Sequence, residues 1–206
     1  MDLSAPLQSI FPSADSAVLA VLTGSTKPRT GREVARLAGR SQAAAQLILS
    51  RLLMQGLVLM EEAGRARLYT LNRDHIAAAP IAELTNLRSG LFRRLSDEVF
   101  AFWRPQPVHA SVFGSAARGD GGPASDIDIF LVRPADVDEE DEKWAGQVEA
   151  LAHNVFRWTG NHAGISEIGE LDLERLRRER PAVLDSLRAD AVDIVGKPLR
   201  TLLPRM

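Results

Sequence analysis

Residues 111–132 read Ser111-Val112-Phe113-Gly114-Ser115-Ala116-Ala117-Arg118-Gly119-Asp120-Gly121-Gly122-Pro123-Ala124-Ser125-Asp126-Ile127-Asp128-Ile129-Phe130-Leu131-Val132. Val108 to Phe113 is apolar and β-prone enough for a strand, and Ile127 with Ile129 to Val132 forms a second strand with one buried face. Between them, Arg118-Gly119-Asp120-Gly121-Gly122-Pro123 can only be a turn or loop, after one or two helical turns. A Gly-Ser corner after an apolar strand offers backbone N–H groups and a hydroxyl to a phosphate chain, and a helix starting there adds its positive dipole end. Asp126 and Asp128 stand at i and i+2, so alternation along a strand points both to one face. A phosphate cradle with paired carboxylates is what magnesium-dependent phosphoryl or nucleotidyl transfer needs. An isolated Asp-x-Asp more often decorates the solvent face of an edge strand. The Gly-Ser pair at the matching distance turns the reading toward a site.

The run Gly114-Ser115-x10-Asp126-x-Asp128, with Ala117-Arg118-Gly119-Asp120 inside it, resembles the signature of the minimal nucleotidyltransferases of the DNA polymerase β superfamily. The resemblance covers roughly residues 95–200 and implies a small αβ domain built on a mixed sheet. It implies that Gly114 and Ser115 hold the triphosphate of an incoming nucleoside triphosphate, with Arg118 adding positive charge near the phosphates. Asp126 and Asp128 are, on the same resemblance, catalytic carboxylates and the ligands of two Mg2+ ions. One ion activates an acceptor hydroxyl and both stabilise phosphoryl charge during in-line displacement.

The family usually carries a third carboxylate on a later strand. The candidate strand is Ala163-Gly164-Ile165-Ser166-Glu167-Ile168, after the turn Thr159-Gly160-Asn161. Alternation puts Ile165 and Glu167 on one face, Ser166 and Ile168 on the other. With Glu167 in the acidic position the catalytic set is complete. With Ser166 there, the site lacks its general base and binds nucleotide without turning it over. Glu167 is the assignment taken, with Glu170 and Asp172 as outside candidates.

Composition bounds the rest. At 206 residues the chain suits one large or two modest domains, and 45% hydrophobic with 25% charged residues is the composition of a globular protein. No apolar run approaches the roughly 20 residues that span a bilayer, so no membrane association is expected. The absence of cysteine excludes disulfides and cysteine-ligated zinc and fits a cytoplasmic setting. Residues 1–77 hold nine Lys and Arg against six Asp and Glu, a net of +3; residues 78–206 hold sixteen against twenty-one, a net of −5. The N-terminal part is thus mildly basic and the remainder acidic.

Residues 1–77 have an organisation of their own. Ala14 to Leu22 reads as a helix; Thr30 can cap a second, Gly31 to Leu37, and Ser41 a third, Gln42 to Met54, ending at Gly56. Leu57 to Glu62 and Ala66 to Leu71, around Ala63-Gly64-Arg65, make a hairpin. This order resembles a winged helix-turn-helix domain of the kind found in bacterial transcription regulators. In such a domain the third helix enters the major groove of duplex DNA and the wing touches backbone or minor groove. The candidate contacts are Arg40, Ser41, Gln42 and Gln46 on the helix and Arg65 and Arg67 on the wing. Such domains also serve as dimerisation or protein-docking modules, and Leu47, Ile48, Leu52 and Leu53 read as core rather than as partner surface.

The expected fold is therefore α+β: a winged helix-turn-helix domain over 1–77, then a polymerase-β-type nucleotidyltransferase domain with a mixed sheet over 78–206. Residues 78–103 form a connecting helix, with Leu84, Leu87, Leu91, Leu95, Val99 and Phe102 on one stripe that suits either core or a homodimer interface. The acidic run Asp136 to Glu142 precedes a helix whose N-terminus it favours. His75, His109, His153 and His162 lack paired metal-ligand spacing. The first functional reading is a Mg2+-dependent enzyme that moves a nucleoside monophosphate from a triphosphate to a hydroxyl on protein, RNA or a small molecule. Relatives of the minimal type often belong to toxin–antitoxin pairs, so the resemblance also implies a protein partner. The second reading is a DNA-binding regulator whose transferase-like domain senses nucleotide. A third is a structural adaptor.

Overall fold

The computed structural model describes residues 1–179 and 181–204, and it divides into two compact units, Ala5–Leu87 and Arg88–Met206 together with Met1–Ser4. The division falls after Leu87, and the helix expected across 78–103 is two helices. Asn86 interrupts it: its backbone N–H and its side-chain amide both donate to Ala82 O, which closes the preceding turn.

The smaller unit runs α1 (Pro6–Ile10), α2 (Ala14–Thr23), β1 (Arg29–Thr30), α3 (Gly31–Leu37), α4 (Gln42–Met54), β2 (Val58–Ala63), β3 (Ala66–Leu71) and α5 (Ala78–Thr85). Its three strands pair antiparallel in the order β1-β3-β2. Local chemistry sets the helix starts. Thr30 and Glu33 close a reciprocal capping box, and the Ser41 hydroxyl accepts from Ala44 N at 3.2 Å. Val18, Leu22, Val34, Leu49, Leu52, Val58 and Tyr69 form the core. Ile48 and Leu52 are buried there, as expected. Leu47 is not: it is 74% exposed, and Leu53 also faces outward. Helical geometry explains the difference, because one side of α4 is taken up by Ala45, Ile48, Leu49 and Leu52, which turns Leu47 away from it.

The larger unit runs α6 (Leu87–Phe102, its first residue in the smaller unit), β4 (His109–Phe113), α7 (Gly114–Arg118), β5 (Ile127–Arg133), α8 (Glu142–Thr159), β6 (Ala163–Gly169), α9 (Leu173–Glu179), α10 (Ala182–Asp190), β7 (Val192–Gly196) and α11 (Leu199–Leu202). The sheet order is β6-β5-β4-β7, with β5 and β6 parallel and the other pairs antiparallel. A parallel pair needs a long crossover, and α8 provides it. Asp141 caps α8 by accepting from Trp144 N at 2.8 Å, the role foreseen for the acidic run.

Strand alternation divides the core into two layers. Ile127, Ile129 and Leu131 lie with Val112, Leu95, Trp144, Leu151 and Val155 on one side. Phe130 and Val132 lie with Phe113, Leu173, Leu184, Leu187 and Leu199 on the other. On the α6 stripe, Leu91, Leu95 and Val99 are buried, but Phe102 is 73% exposed and Trp103 takes the inward place, edge-on to Trp144.

Candidate active site and candidate nucleic-acid interface

β4 is buried along its whole length and delivers the chain to Gly114, whose φ of +66° lies in the left-handed region that favours glycine. That turn starts α7, little more than one helical turn, which ends at Gly119 with a left-handed C-cap. The loop after it folds back onto the corner. A Cβ on Gly121 would stand 2.8 Å from Ser115 Oγ. Ser125 Oγ accepts from Gly122 N at 2.9 Å, while the Asn161 amide donates to Ser125 O at 2.9 Å and to Pro123 O at 3.2 Å. Ser115, Gly121, Gly122, Ser125 and Asp126 line one small pocket. The backbone nitrogen of Met1 donates to Asn161 Oδ1 at 2.7 Å, and Met1 and Leu3 complete the pocket wall.

Asp128 pairs across β4 with Phe113 and across β6 with Gly164. Its carboxylate occupies the space that a side chain on Gly114 would need, and Oδ1 lies 3.0 Å from where a Cβ on Gly164 would stand. The carboxylate is therefore seated between two glycines. Gly164 had no signal in the sequence, because the need for a hydrogen there arises only when β6 pairs with β5. Asp126 stands at the mouth of β5, exposed. Burial pushes the Asp128 carboxyl up from its ordinary value, the Asp126 charge adds to this, and Arg118 opposes it.

The structure thus brings Gly114, Ser115 and Asp128 together and keeps Asp126 at the rim of the Ser115 pocket. Arg118 lies on α7, but it donates to Asp120 Oδ2 at 2.9 Å and also pairs with Asp190, so two carboxylates already meet its charge. Those bonds, Asp120 first, hold its pKa above the ordinary guanidinium value. Asp190, 72 residues from Arg118 in sequence, is a neighbour that local pattern could not reveal.

Glu167 is not brought to the site. It pairs in register with Leu131, on the face opposite Asp128, and accepts from Arg133 Nε at 2.8 Å. Gly164, Ser166 and Ile168 are the β6 residues on the Asp128 face, in register with Asp128, Phe130 and Val132, so Ser166 rather than Glu167 stands on that side. The outside candidates are engaged elsewhere, Glu170 with Lys197 Nζ at 2.9 Å and Asp172 with Arg175 at 3.3 Å. Among the described residues, no cluster of three or more His, Cys, Asp or Glu side chains is placed to hold a metal ion. His109 is buried on β4 with Nδ1 2.8 Å from Lys197 O, and burial lowers its pKa; His162 stacks on Phe156.

In the smaller unit, a groove of about 620 Å³ is lined by Thr30, Arg32, Gln42, Gln46, Arg65, Arg67 and Tyr69, among others. Four of the expected nucleic-acid contacts meet there: Gln42, Gln46, Arg65 and Arg67. Arg40 and Ser41 do not line the groove, and the Ser41 hydroxyl is used to cap α4. Gln46 is engaged too, its amide donating to Tyr69 Oη at 3.1 Å and Ser50 Oγ at 3.4 Å. Arg32 is an additional cation of this face.

A family model of the nucleotidyltransferase domain matches residues 93–204, more than half of the chain, and the chain belongs to that family. The mixed α+β architecture with its mixed sheet fits a polymerase-β-type domain, and the general chemistry of the family is nucleotidyl transfer. No curated protein and no solved structure matches the chain. Among the described residues, no helix is long and apolar enough to cross a membrane.

Proposed function

We propose that the larger unit binds a nucleoside triphosphate at Gly114–Ser115 and transfers its nucleoside monophosphate to a hydroxyl acceptor. The acceptor oxygen attacks the α-phosphorus, the bond to the bridging oxygen breaks, and pyrophosphate leaves. One observation carries this reading: the Asp128 carboxylate seated between Gly114 and Gly164, at the corner where the phosphates dock. Backbone N–H groups of the corner and the Ser115 hydroxyl orient the phosphate chain.

Asp126 and Asp128 are hard oxygen donors; burial first and the Asp126 charge second raise the Asp128 pKa, and a cation held by both favours the ionised carboxylate. They suit Mg2+, which is commonly held by one or two carboxylates together with substrate phosphates. When bound, the ion supplies Lewis-acid stabilisation of phosphoryl charge. With Ser166 on the Asp128 face, these side chains suit one ion better than the two implied by the family resemblance.

The test is to incubate the protein with each α-labelled triphosphate, Mg2+ and a lysate, and to identify what becomes labelled. Transfer lost in Asp126→Ala supports the reading, and transfer at the wild-type rate in that variant overturns it. The labelled species identifies the acceptor as a protein side chain, an RNA end or a small molecule, and shows whether a partner protein is the target.

Ser166 favours a second reading as well. Without a third carboxylate, the larger unit senses nucleotide with slow turnover, and the smaller unit acts as a winged helix-turn-helix module on duplex DNA. The order α2, β1, α3, α4, β2, β3 with sheet order β1-β3-β2 supports that module, as does the cationic groove. Saturable triphosphate binding without label transfer selects this reading over the first.

A further inference from the structure

The outward side of α4 carries Ala43, Leu47, Ser50 and Met54, all exposed and spaced i, i+4, i+7 and i+11. Leu47 is 74% exposed and Met54 83%. Three of its four positions are apolar, and the same helix borders a cationic groove through Gln42 and Gln46. Arg40 precedes the helix, and Arg32, Arg65 and Arg67 line the adjoining groove. Apolar side chains on a helix that also borders a cationic groove do not suit an apolar protein partner alone, whereas they match duplex DNA, whose phosphates flank a groove floor bearing thymine methyl groups. Of the two amides this helix brings to the groove, Gln42 is exposed, while Gln46 is held by Tyr69 and Ser50.

We propose that Ala43 and Leu47 read thymine C5-methyl groups in the major groove, so that sequence choice rests on methyl contact more than on Gln46. This rests on the reading of the smaller unit as a DNA-binding module. Ala43 and Leu47 lie in the N-terminal half of α4, the part of a recognition helix that reaches base edges. Met54, at the other end, lies beyond that reach. The arginines supply affinity through phosphates and carry no sequence information.

The experiment selects duplexes from a randomised pool on the immobilised full chain. Each thymine of the enriched motif is then replaced by uracil, which removes only the methyl group. Binding roughly four- to fivefold weaker at one or two positions is expected, the size of one lost methyl burial. In Leu47→Ala, with unchanged circular dichroism, the preference for thymine over uracil at one of these positions should vanish. Gln46→Ala should leave that preference intact. Enrichment of a motif whose uracil forms bind as well as its thymine forms overturns the inference while leaving DNA binding in place. Failure to retain any duplex overturns the DNA-binding reading itself. Loss of a protein partner in Leu47→Ala, with equal binding of thymine and uracil duplexes, also counts against it.

Discussion

The carboxylate of Asp128 fills the space that a side chain on Gly114 would need, so these two residues, fourteen apart in sequence, determine each other's identity. Gly114→Ala is expected to cost about 1–2 kcal/mol from the left-handed backbone alone. It should also push Asp128 out of its seat and abolish triphosphate binding. Urea unfolding and a triphosphate titration measure the two effects. A variant that binds triphosphate normally would show that the seat is not part of the phosphate corner.

Asp128 sets a pH dependence whose sign is determinate. Its folded-state pKa is raised, first by burial and then by Asp126, so folding favours the protonated carboxyl. The resulting stability is present in full below the unfolded-state value and is lost as pH rises through the raised folded value. Metal and triphosphate binding run the opposite way, because they need the ionised carboxylate, and should weaken as pH falls through that range. Asp128→Asn is accordingly expected to melt higher than wild type at neutral pH while losing nucleotide transfer. Melting curves across acidic to neutral pH check this, and a lower melting temperature for the variant at neutral pH would contradict it.

Position 166 and position 167 are expected to behave unlike each other. Glu167→Ala deprives a buried guanidinium, Arg133, of its carboxylate and should cost roughly 1–3 kcal/mol in stability. Turnover per folded molecule should stay the same. Ser166→Asp places a carboxylate on the Asp128 face and should raise turnover at least about tenfold, a fraction of what a general base supplies. Normal melting with lost turnover in a Glu167 variant would restore that residue to the catalytic set.

Arg65 and Arg67 are expected to contribute affinity for duplex DNA without selectivity. Replacing either by Ala should weaken binding to every sequence alike and reduce the salt slope by about one. Fluorescence anisotropy across a salt series measures it. A change in the preferred sequence would assign the wing a reading role instead.

The strand–corner–strand segment from His109 to Arg133 is legible in the chain because its parts are local. Gly114, Ser115, Asp126 and Asp128 follow one another through a single short excursion, and alternation alone puts the two aspartates on one face. The starts of α3 and α4 are legible for the same reason: Thr30 and Ser41 cap the turns that immediately follow them. What lies across long separations is not. Whether position 166 or 167 faces Asp128 depends on the register of β6 against β5, after an intervening crossover helix, and a shift of one residue exchanges the faces. Arg133 claims Glu167 only once that register exists. In the same way, Tyr69 holds Gln46 only when the sheet and α4 meet, and the burial of Ile48 and Leu49 is what turns Leu47 outward. Sequence determined the Gly-Ser corner and the two aspartates that follow it; tertiary pairing alone decided which further side chains join them, because each such choice turns on contacts between strands and helices distant along the chain.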